Sequence, residues 1–434
     1  MRVKLRHDID KLPPDKIEQV QAELLKETVD RVYKKSGYYR SLYKSLDLNP
    51  SDIQGLEDLT KLPFTSREEI SKNNWDFFSV DREGAAELVS TTGTTGDPVY
   101  VAMTRSDQQR LAYNEEKSFT NAGAQKGDLF FIDVTCDNLF IAGIAYYSGL
   151  IKLGASVVRV GAQNIARQFD LIKKLKPRGI VAVPSFIAQM ARRSGDYGIN
   201  VKDLGLQKIV LIGDSIRNED FTLNPLGSLI SGAFGNIFSS TYGITEGQVS
   251  FCECRQRLGL HSHPDLVLAE IIDDEGNPLP DGETGELVLT TLQIEGMPLV
   301  RYKTGDITFK ISAPCECGSN SLRIGPVMGR KYHRLKFKGV TLYPKTIENA
   351  ILDVEGVENY QIEAFTGDDH TDHVLLRVGT SRDDESFKTM LTERLRAKAR
   401  VSPKLEIMKP EELSKKLFNG GNRKAITFID KRSV

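Results

Sequence analysis

The sequence predicts an α/β protein, with a large N-terminal domain and a small α+β C-terminal domain. Three observations carry that prediction. In the middle of the chain four short apolar runs alternate with helical patterns: LFFIDV (129–134), SVVRV (156–160), GIVAV (179–183) and KIVLIG (208–213). Continuous apolar runs are how strands read when helices cover both faces of a parallel sheet. After about residue 265 the texture becomes turn-rich, as in DDEGNPLPDGETGE (273–286) followed by ELVLTT (286–291), which favours hairpins and a β-rich subregion. From about residue 335 the order is strand, helix from Pro344, strand (357–365), strand (373–378) and charged helix (383–400). That order suits a small unit of roughly 100 residues.

The remaining elements and the bulk properties agree. Pro13-Pro14-Asp15 opens a helix over 14–36 with Ile17, Val20, Leu24, Leu25 and Val32 at helical spacing. A length of 434 residues, 40% apolar and 27% charged, is that of a soluble chain of two or three domains. With 58 basic and 59 acidic residues the net charge is −1, and no basic block of five or more occurs. General affinity for nucleic acid or an anionic membrane is therefore not expected. The longest uncharged apolar run, Leu139 to Ile151, has 13 residues, short of the roughly 20 that span a bilayer. The opening MRVKLRHDID has charges where a signal peptide needs its apolar core, so a cytoplasmic protein is expected. Of five cysteines, four form the pairs Cys252/Cys254 and Cys315/Cys317. In a reducing compartment such spacing points to metal before disulfide. Cys136, in an apolar stretch, reads as a buried small hydrophobe.

The first segment that carries chemistry is Ser90-Thr91-Thr92-Gly93-Thr94-Thr95-Gly96-Asp97-Pro98. Its hydroxyls and unhindered N–H groups suit the wrapping of nucleotide phosphates. It lacks the Gly-Lys-Ser/Thr ending of a P-loop, and a polar surface turn has the same composition. Taken with Tyr242-Gly243-Ile244-Thr245-Glu246, Tyr302-Lys303-Thr304-Gly305-Asp306, Gly329-Arg330 and Lys424 near the C-terminus, it resembles the adenylate-forming enzymes (acyl-CoA synthetases, adenylation domains and luciferases). Within that superfamily the phenylacetate–coenzyme A ligases are the most similar, through SGYYRSLYKSL…LEDLTKLPFTSREEI (36–70), GLHSHPDLVLAEIID (259–273), GELVLTTL (285–292) and the ending from Lys424 to Arg432. Coenzyme F390 synthetases share much of the pattern.

The resemblance implies the adenylate-forming fold, with an N-terminal domain over 1–329 and a mobile C-terminal domain over 330–434. It also implies two half-reactions. A carboxylate attacks the α-phosphate of ATP, giving an acyl-adenylate and pyrophosphate; the thiol of coenzyme A then displaces AMP. Thr91, Thr92, Gly93, Thr94, Thr95 and Gly96 would wrap the phosphates, with Thr94 placed among the catalytic residues. Glu246 would hold Mg²⁺, a hard cation suited to carboxylate and phosphate oxygens. Tyr242 would lie along adenine, flanked by Gly243 and Thr245, with Gly213 and Asp214 beside the same base. Asp306 would accept from both ribose hydroxyls, and Arg330 would donate to ribose or phosphate. Lys424 would stabilise the charge that grows on the α-phosphate, on a loop freed by Gly420 and Gly421. This chain departs from the family in having Asp97 where many relatives have Lys, and Tyr332 followed by His333 where an acidic residue is common.

Cys315 and Cys317 read as half of a zinc knuckle, completed by Cys254 and His261 as a closed structural site. Cys252 in place of Cys254 and His263 in place of His261 are alternatives. An acid pocket would draw on Phe140, Ile141, Tyr147, Phe186 and a Ser240–Gly243 turn. The leading reading is an ATP-dependent ligase joining an aromatic or arylacetic acid to coenzyme A; dimers occur in the resembling family, but the sequence does not set the oligomeric state. The alternatives are adenylyl transfer of the F390 type, acyl transfer to a carrier protein, and a non-catalytic nucleotide-binding protein with a structural zinc.

Overall fold

The four apolar runs of the central region pair edge to edge and in parallel. In the computed structural model they are β3 (Leu129–Asp133), β4 (Ser156–Arg159), β5 (Gly179–Ala182) and β6 (Lys208–Leu211). The structure describes residues 5–91, 98–161, 164–333, 335–337, 340–352, 354–367, 372–399, 403–418 and 425–432. These fall into two units: 1–222, 230–304 and 308–327 form the first, and 223–229, 305–307 and 328–434 the second. No compositional signal marks the two short pieces that join the second unit.

In the first unit α1 (Pro14–Lys35) begins at a proline and buries Ile17, Val20, Leu24, Leu25, Val29 and Val32. Ser36 caps α2 (Gly37–Ser45), its hydroxyl accepting from Tyr39 N at 3.3 Å. A capping box of Ser66 and Glu69 starts α3 (Arg67–Asn73). Next comes an antiparallel hairpin of β1 (Glu87–Ser90) and β2 (Tyr100–Met103), with Ser90 opposite Tyr100. Then follow α4 (Arg105–Asn121) and the parallel strands, connected through α5 (Ile141–Leu153), α6 (Ile165–Leu175) and α7 (Pro184–Arg193).

After α8 (Pro225–Phe234), β7 (Phe238–Ile244) joins β6 in parallel. It turns back through the antiparallel strands β8 (Val249–Glu253) and β9 (Leu260–His261). The Ser240–Gly243 stretch is thus part of a strand and not a turn, because its backbone is taken up by the ladder. Beyond 265 the expected hairpins appear, with β10 (Val267–Ile272) antiparallel to β11 (Gly285–Thr291). After β12 (Tyr302–Thr308), β13 (Lys310–Ile311) and β14 (Arg323–Ile324) complete a nine-stranded sheet, ordered β13-β14-β9-β8-β7-β6-β5-β3-β4. β4 closes one edge, so its Ser156 and Arg159 are exposed; two-sided burial holds for β3, β5 and β6. Cys136 is half-buried, its thiol 3.8 Å from Val134 O, because it lies in the loop that leaves β3.

In the second unit Asp306 and Ile307 of β12 pair antiparallel with β15 (Gly329–Arg330). A hairpin of β16 (Leu335–Phe337) and β17 (Val340–Leu342) precedes α9 (Pro344–Ile351). A four-stranded sheet then combines β18 (Asn359–Thr366), β19 (Asp372–Gly379), β20 (Lys404–Met408) and β21 (Phe428–Lys431), ordered β20-β19-β18-β21. α10 (Glu385–Ala399) and α11 (Pro410–Leu417) lie between β19 and β21 in the chain. Ile347, Ile351, Ile362, Leu376, Phe387 and Leu391 belong to its core.

The least expected element is α4. It buries a polar stripe, Asp107, Arg110, Asn114 and Ser118, together with Glu115. Asn114 Nδ2 donates to Ser250 Oγ at 2.7 Å, and that hydroxyl donates to Glu115 Oε1 at 2.8 Å. Ser118 Oγ lies 3.1 Å from Ser250 Oγ and 3.2 Å from His263 Nε2. Gly149 of α5 permits the close approach, since a Cβ there would stand 2.3 Å from Glu115 Cβ. Burial pushes the Glu115 carboxyl up to about 7 and the His263 imidazole down to about 3. Protonated Glu115 therefore favours the folded state below about pH 4.5, and that contribution is lost as pH rises through 7. His263, depressed by burial, acts with the opposite sign, so wild-type stability alone does not isolate Glu115. A comparison with Glu115→Gln does: relative to wild type, the variant gains stability between pH 5 and pH 8. Urea unfolding at both pH values measures this, and a constant difference would remove the buried, protonated Glu115.

Candidate active site and metal centre

Thr65 joins Tyr302 in a short parallel bridge. Its N–H donates to Arg301 O at 3.1 Å, and Lys303 N–H donates to Thr65 O at 2.8 Å. The Phe64 ring lies 4.0 Å from the Arg301 guanidinium and 4.3 Å from the Lys303 ammonium. These contacts fix where α3 begins, and its first residue is Arg67. Arg67 Nη1 donates to Glu246 Oε1 at 2.9 Å, and Nη2 donates to Thr91 Oγ1 at 3.1 Å. Tyr302 Oη also donates to Glu246 Oε1, at 3.3 Å.

Glu246 stands in the tight turn between β7 and β8, where Gln248 N–H donates to Thr245 O at 3.1 Å and Gln248 has φ +46°. Thr91 forms the neck of the β1–β2 hairpin: its N–H donates to Val99 O at 3.0 Å and its hydroxyl accepts from Val99 N–H at 3.1 Å. The structure thus joins two residues read from the sequence, Glu246 and Thr91, through Arg67, to which no role was attached. A signal for Arg67 was present, since a cation in the first turn opposes the helix dipole and needs an acidic partner from elsewhere. Thr92, Gly93, Thr94, Thr95 and Gly96 lie outside the described residues, as do Asp97, Gly420, Gly421 and Lys424.

The other predicted residues have definite places. Tyr242 is half-buried on β7, its ring 5.8 Å from Phe251. Gly243 is exposed and Thr245 half-buried. Gly213, with φ +80°, and Asp214 are exposed just beyond β6. Of the suggested pocket residues Ile141 and Phe186 are buried, Phe140 precedes α5, and Tyr147 is partly exposed with Arg159 over its ring at 5.9 Å. Within the second unit Asp306 is buried and pairs with Arg330, Nε to Oδ1 3.3 Å, while the guanidinium stays half-exposed. Gly305 has φ +75°.

The cysteine pairs converge in the first unit. Ligand atoms of Cys254, His261, Cys315 and Cys317 all lie within 4.8 Å of one another. Cys254 Sγ is 3.8 Å from Cys315 Sγ, and Cys317 Sγ is 3.6 Å from His261 Nε2. Tetrahedral zinc with Zn–S bonds of about 2.3 Å needs S···S edges of roughly 3.8 Å, so the donor set fits. His261 Nδ1 lies 2.9 Å from Ser321 Oγ, which leaves Nε2 facing the thiols. The two alternative ligands are elsewhere: Cys252 is fully buried with its thiol directed at Glu253 O, and His263 is engaged with Ser118.

With this geometry in place, comparison with known proteins is informative. The family model for AMP-binding enzymes matches residues 38–295, and the model for the AMP-binding enzyme C-terminal domain matches 339–432. A phenylacetate–coenzyme A ligase of Thermus thermophilus is 34% identical over 362 residues, 82% of this chain and 80% of that protein. The chain belongs to the phenylacetate–coenzyme A ligase family of the AMP-binding enzymes. A further phenylacetate–coenzyme A ligase, of Pseudomonas putida, is 30% identical to this family member across 87% of this chain and 86% of its own. The fold is also that of a solved 2-hydroxyisobutyryl-CoA ligase in complex with an acyl-AMP, with a TM-score of 0.84 at 20% identity over 98% of this chain and 91% of that one. No helix among the described residues is long and apolar enough to cross a membrane.

Gly305, which precedes Asp306 in β12, offers a direct test of the local geometry there. A Cβ on Gly305 would stand 3.2 Å from the Tyr332 ring at a left-handed φ. Gly305→Ala is expected to lower stability by about 1–2 kcal/mol through the φ penalty alone. Urea unfolding measures it, and an unchanged midpoint would mean that this stretch of β12 adopts another conformation.

Proposed function

We propose that this protein is an ATP-dependent, AMP-forming ligase that joins an aromatic or arylacetic acid such as phenylacetate to coenzyme A. The observation that carries the reading is Glu246, a buried carboxylate linked through Arg67 to Thr91 at the neck of the hydroxyl-rich segment, in a chain of this family. By the same resemblance the proposal includes a cytosolic homodimer.

Adenylation needs positioned reactants and neutralised phosphate charge more than a covalent protein nucleophile. The acid's carboxylate oxygen bonds to the α-phosphorus of ATP as the bond to the bridging oxygen breaks, and pyrophosphate leaves with the electron pair. The thiol of coenzyme A then attacks the acyl carbon and AMP leaves. Segment 91–96 supplies hydroxyls and N–H groups to the phosphates, with Thr94 among the catalytic residues. Glu246 would hold Mg²⁺: among the described residues its hydrogen bonds fall on Oε1, and a hard carboxylate oxygen suits that ion. Bound there, Mg²⁺ would neutralise phosphate charge. Tyr242, Gly243, Thr245, Gly213 and Asp214 border the adenine, and Asp306 and Arg330 bind the ribose.

Lys424 stabilises the transition state for attack on the α-phosphate. Lys424→Ala should lower acid-dependent pyrophosphate release by roughly 10²-fold or more while ATP binding survives. The assay is pyrophosphate and AMP release from ATP across a panel of carboxylic acids, with and without coenzyme A. Wild-type release that needs no acid, or full activity in Lys424→Ala, would contradict the assignment.

Cys254, His261, Cys315 and Cys317 would hold one structural Zn²⁺, which ties the end of β8 and β9 to the β13–β14 connection. The purified protein should contain one zinc per chain by elemental analysis. Chelation should lower its melting temperature, and Cys315→Ser should lose the metal. A metal-free protein that melts at the same temperature with and without added zinc would remove the site.

A further inference from the structure

We propose that Arg67 is the catalytic cation that takes up the charge leaving on pyrophosphate. The inference deepens the ligase reading and rests on it. Its basis is the double contact of one guanidinium, Nη1 to Glu246 at 2.9 Å and Nη2 to Thr91 at 3.1 Å. Arg67 therefore stands between the carboxylate assigned to the metal and the neck of the segment assigned to the phosphates.

The chemistry calls for such a group. As the carboxylate oxygen bonds to the α-phosphorus, the bond to the bridging oxygen breaks and its electron pair stays on the departing group. Acid (−1) and ATP (−4) become acyl-adenylate (−1) and pyrophosphate (−4), so a charge accumulates on the leaving group. Residues Ser90–Pro98 contain neither lysine nor arginine and add an acid, Asp97. Their hydroxyls and amides bring dipoles but no formal charge. A partly buried guanidinium at the neck provides it: Nη1 and Nη2 each give one donor to Glu246 and Thr91, and among the described residues the other three of its five N–H donors stay available to phosphate oxygens. Arg301, the neighbouring arginine, is occupied by both oxygens of Glu270 at 3.0 and 3.1 Å.

A purely structural role, holding Glu246 for both half-reactions, makes a different forecast. Full-length wild type, Arg67→Ala and Arg67→Lys are compared in two assays. One is phenylacetate-dependent ATP–pyrophosphate exchange, with pyrophosphate varied. The other is thioester formation from preformed phenylacetyl-adenylate and coenzyme A, in which no pyrophosphate takes part. In Arg67→Ala, exchange should fall by about 10²-fold or more with a raised KM for pyrophosphate, and Arg67→Lys should regain roughly tenfold. Thioester formation should stay within about twofold of wild type, which also reports an intact fold. Equal losses in the two assays, or undiminished exchange, would overturn the role. A wild-type enzyme that exchanges pyrophosphate with no acid in a broad panel would overturn the ligase reading itself, and this role with it.

Discussion

The site depends on a guanidinium that never meets solvent. Arg110 is fully buried on α4, and its fork donates to three main-chain carbonyls: Leu292 and Gln248 at 2.8 Å, and Leu266. These carbonyls belong to three separate stretches of chain, and one is two residues past Glu246. A buried carbonyl without a donor costs about 1–3 kcal/mol, so one side chain answers for several such costs together. Arginine suits the task because its donors are held in a rigid plane, whereas lysine would reach one partner well and the others poorly. Asp107, one turn earlier, accepts from Glu295 and Gly296 N–H at 2.7 and 2.8 Å while capping the same helix. Burial lowers the affinity of Arg110 for its proton and raises that of Asp107. Protein hydrogen bonds hold both charges in place.

The turn that bears Glu246 is therefore braced from several directions. α4 holds its C-terminal end through Arg110 at Gln248 and through Asn114 at Ser250. Arg67 and Tyr302 hold the carboxylate itself. β8 then runs on from the turn to Cys254, where the thiol–imidazole cluster gathers. Held in this way, the Glu246 carboxylate would reorganise little on taking up the proposed metal, and a group already in place loses little free energy at the moment of reaction. The Phe64 ring between Arg301 and Lys303 contributes to the same rigidity by fixing the approach to α3.

α4 also shows where sequence reading stops. Its residues RSDQQRLAYNEEKSFTN look like a solvated helix by composition, yet Asp107, Arg110, Asn114, Glu115 and Ser118 are all buried. The spacing was visible, at intervals of three and four, but hydrophobic periodicity is blind to a stripe whose partners are backbone carbonyls from distant segments. At edge strand β4 the strand formed as read, and only its expected two-sided burial failed, for the converse reason: its apolar letters match those of β3, and its place in the sheet exposes it.

Local chemistry carried much of the rest. Apolar runs, turn clusters, a proline at a helix start and the spacing of cysteines are short-range constraints. From them came the α/β class, the late hairpins and the choice of Cys254, His261, Cys315 and Cys317. The motifs placed the chain in its family. Tertiary structure alone decided that Arg67 would bridge Glu246 and Thr91, residues 179 and 24 positions away, and that a polar helix would lie inside. Contacts of that range depend on how strands stack and loops close, and no local propensity encodes them.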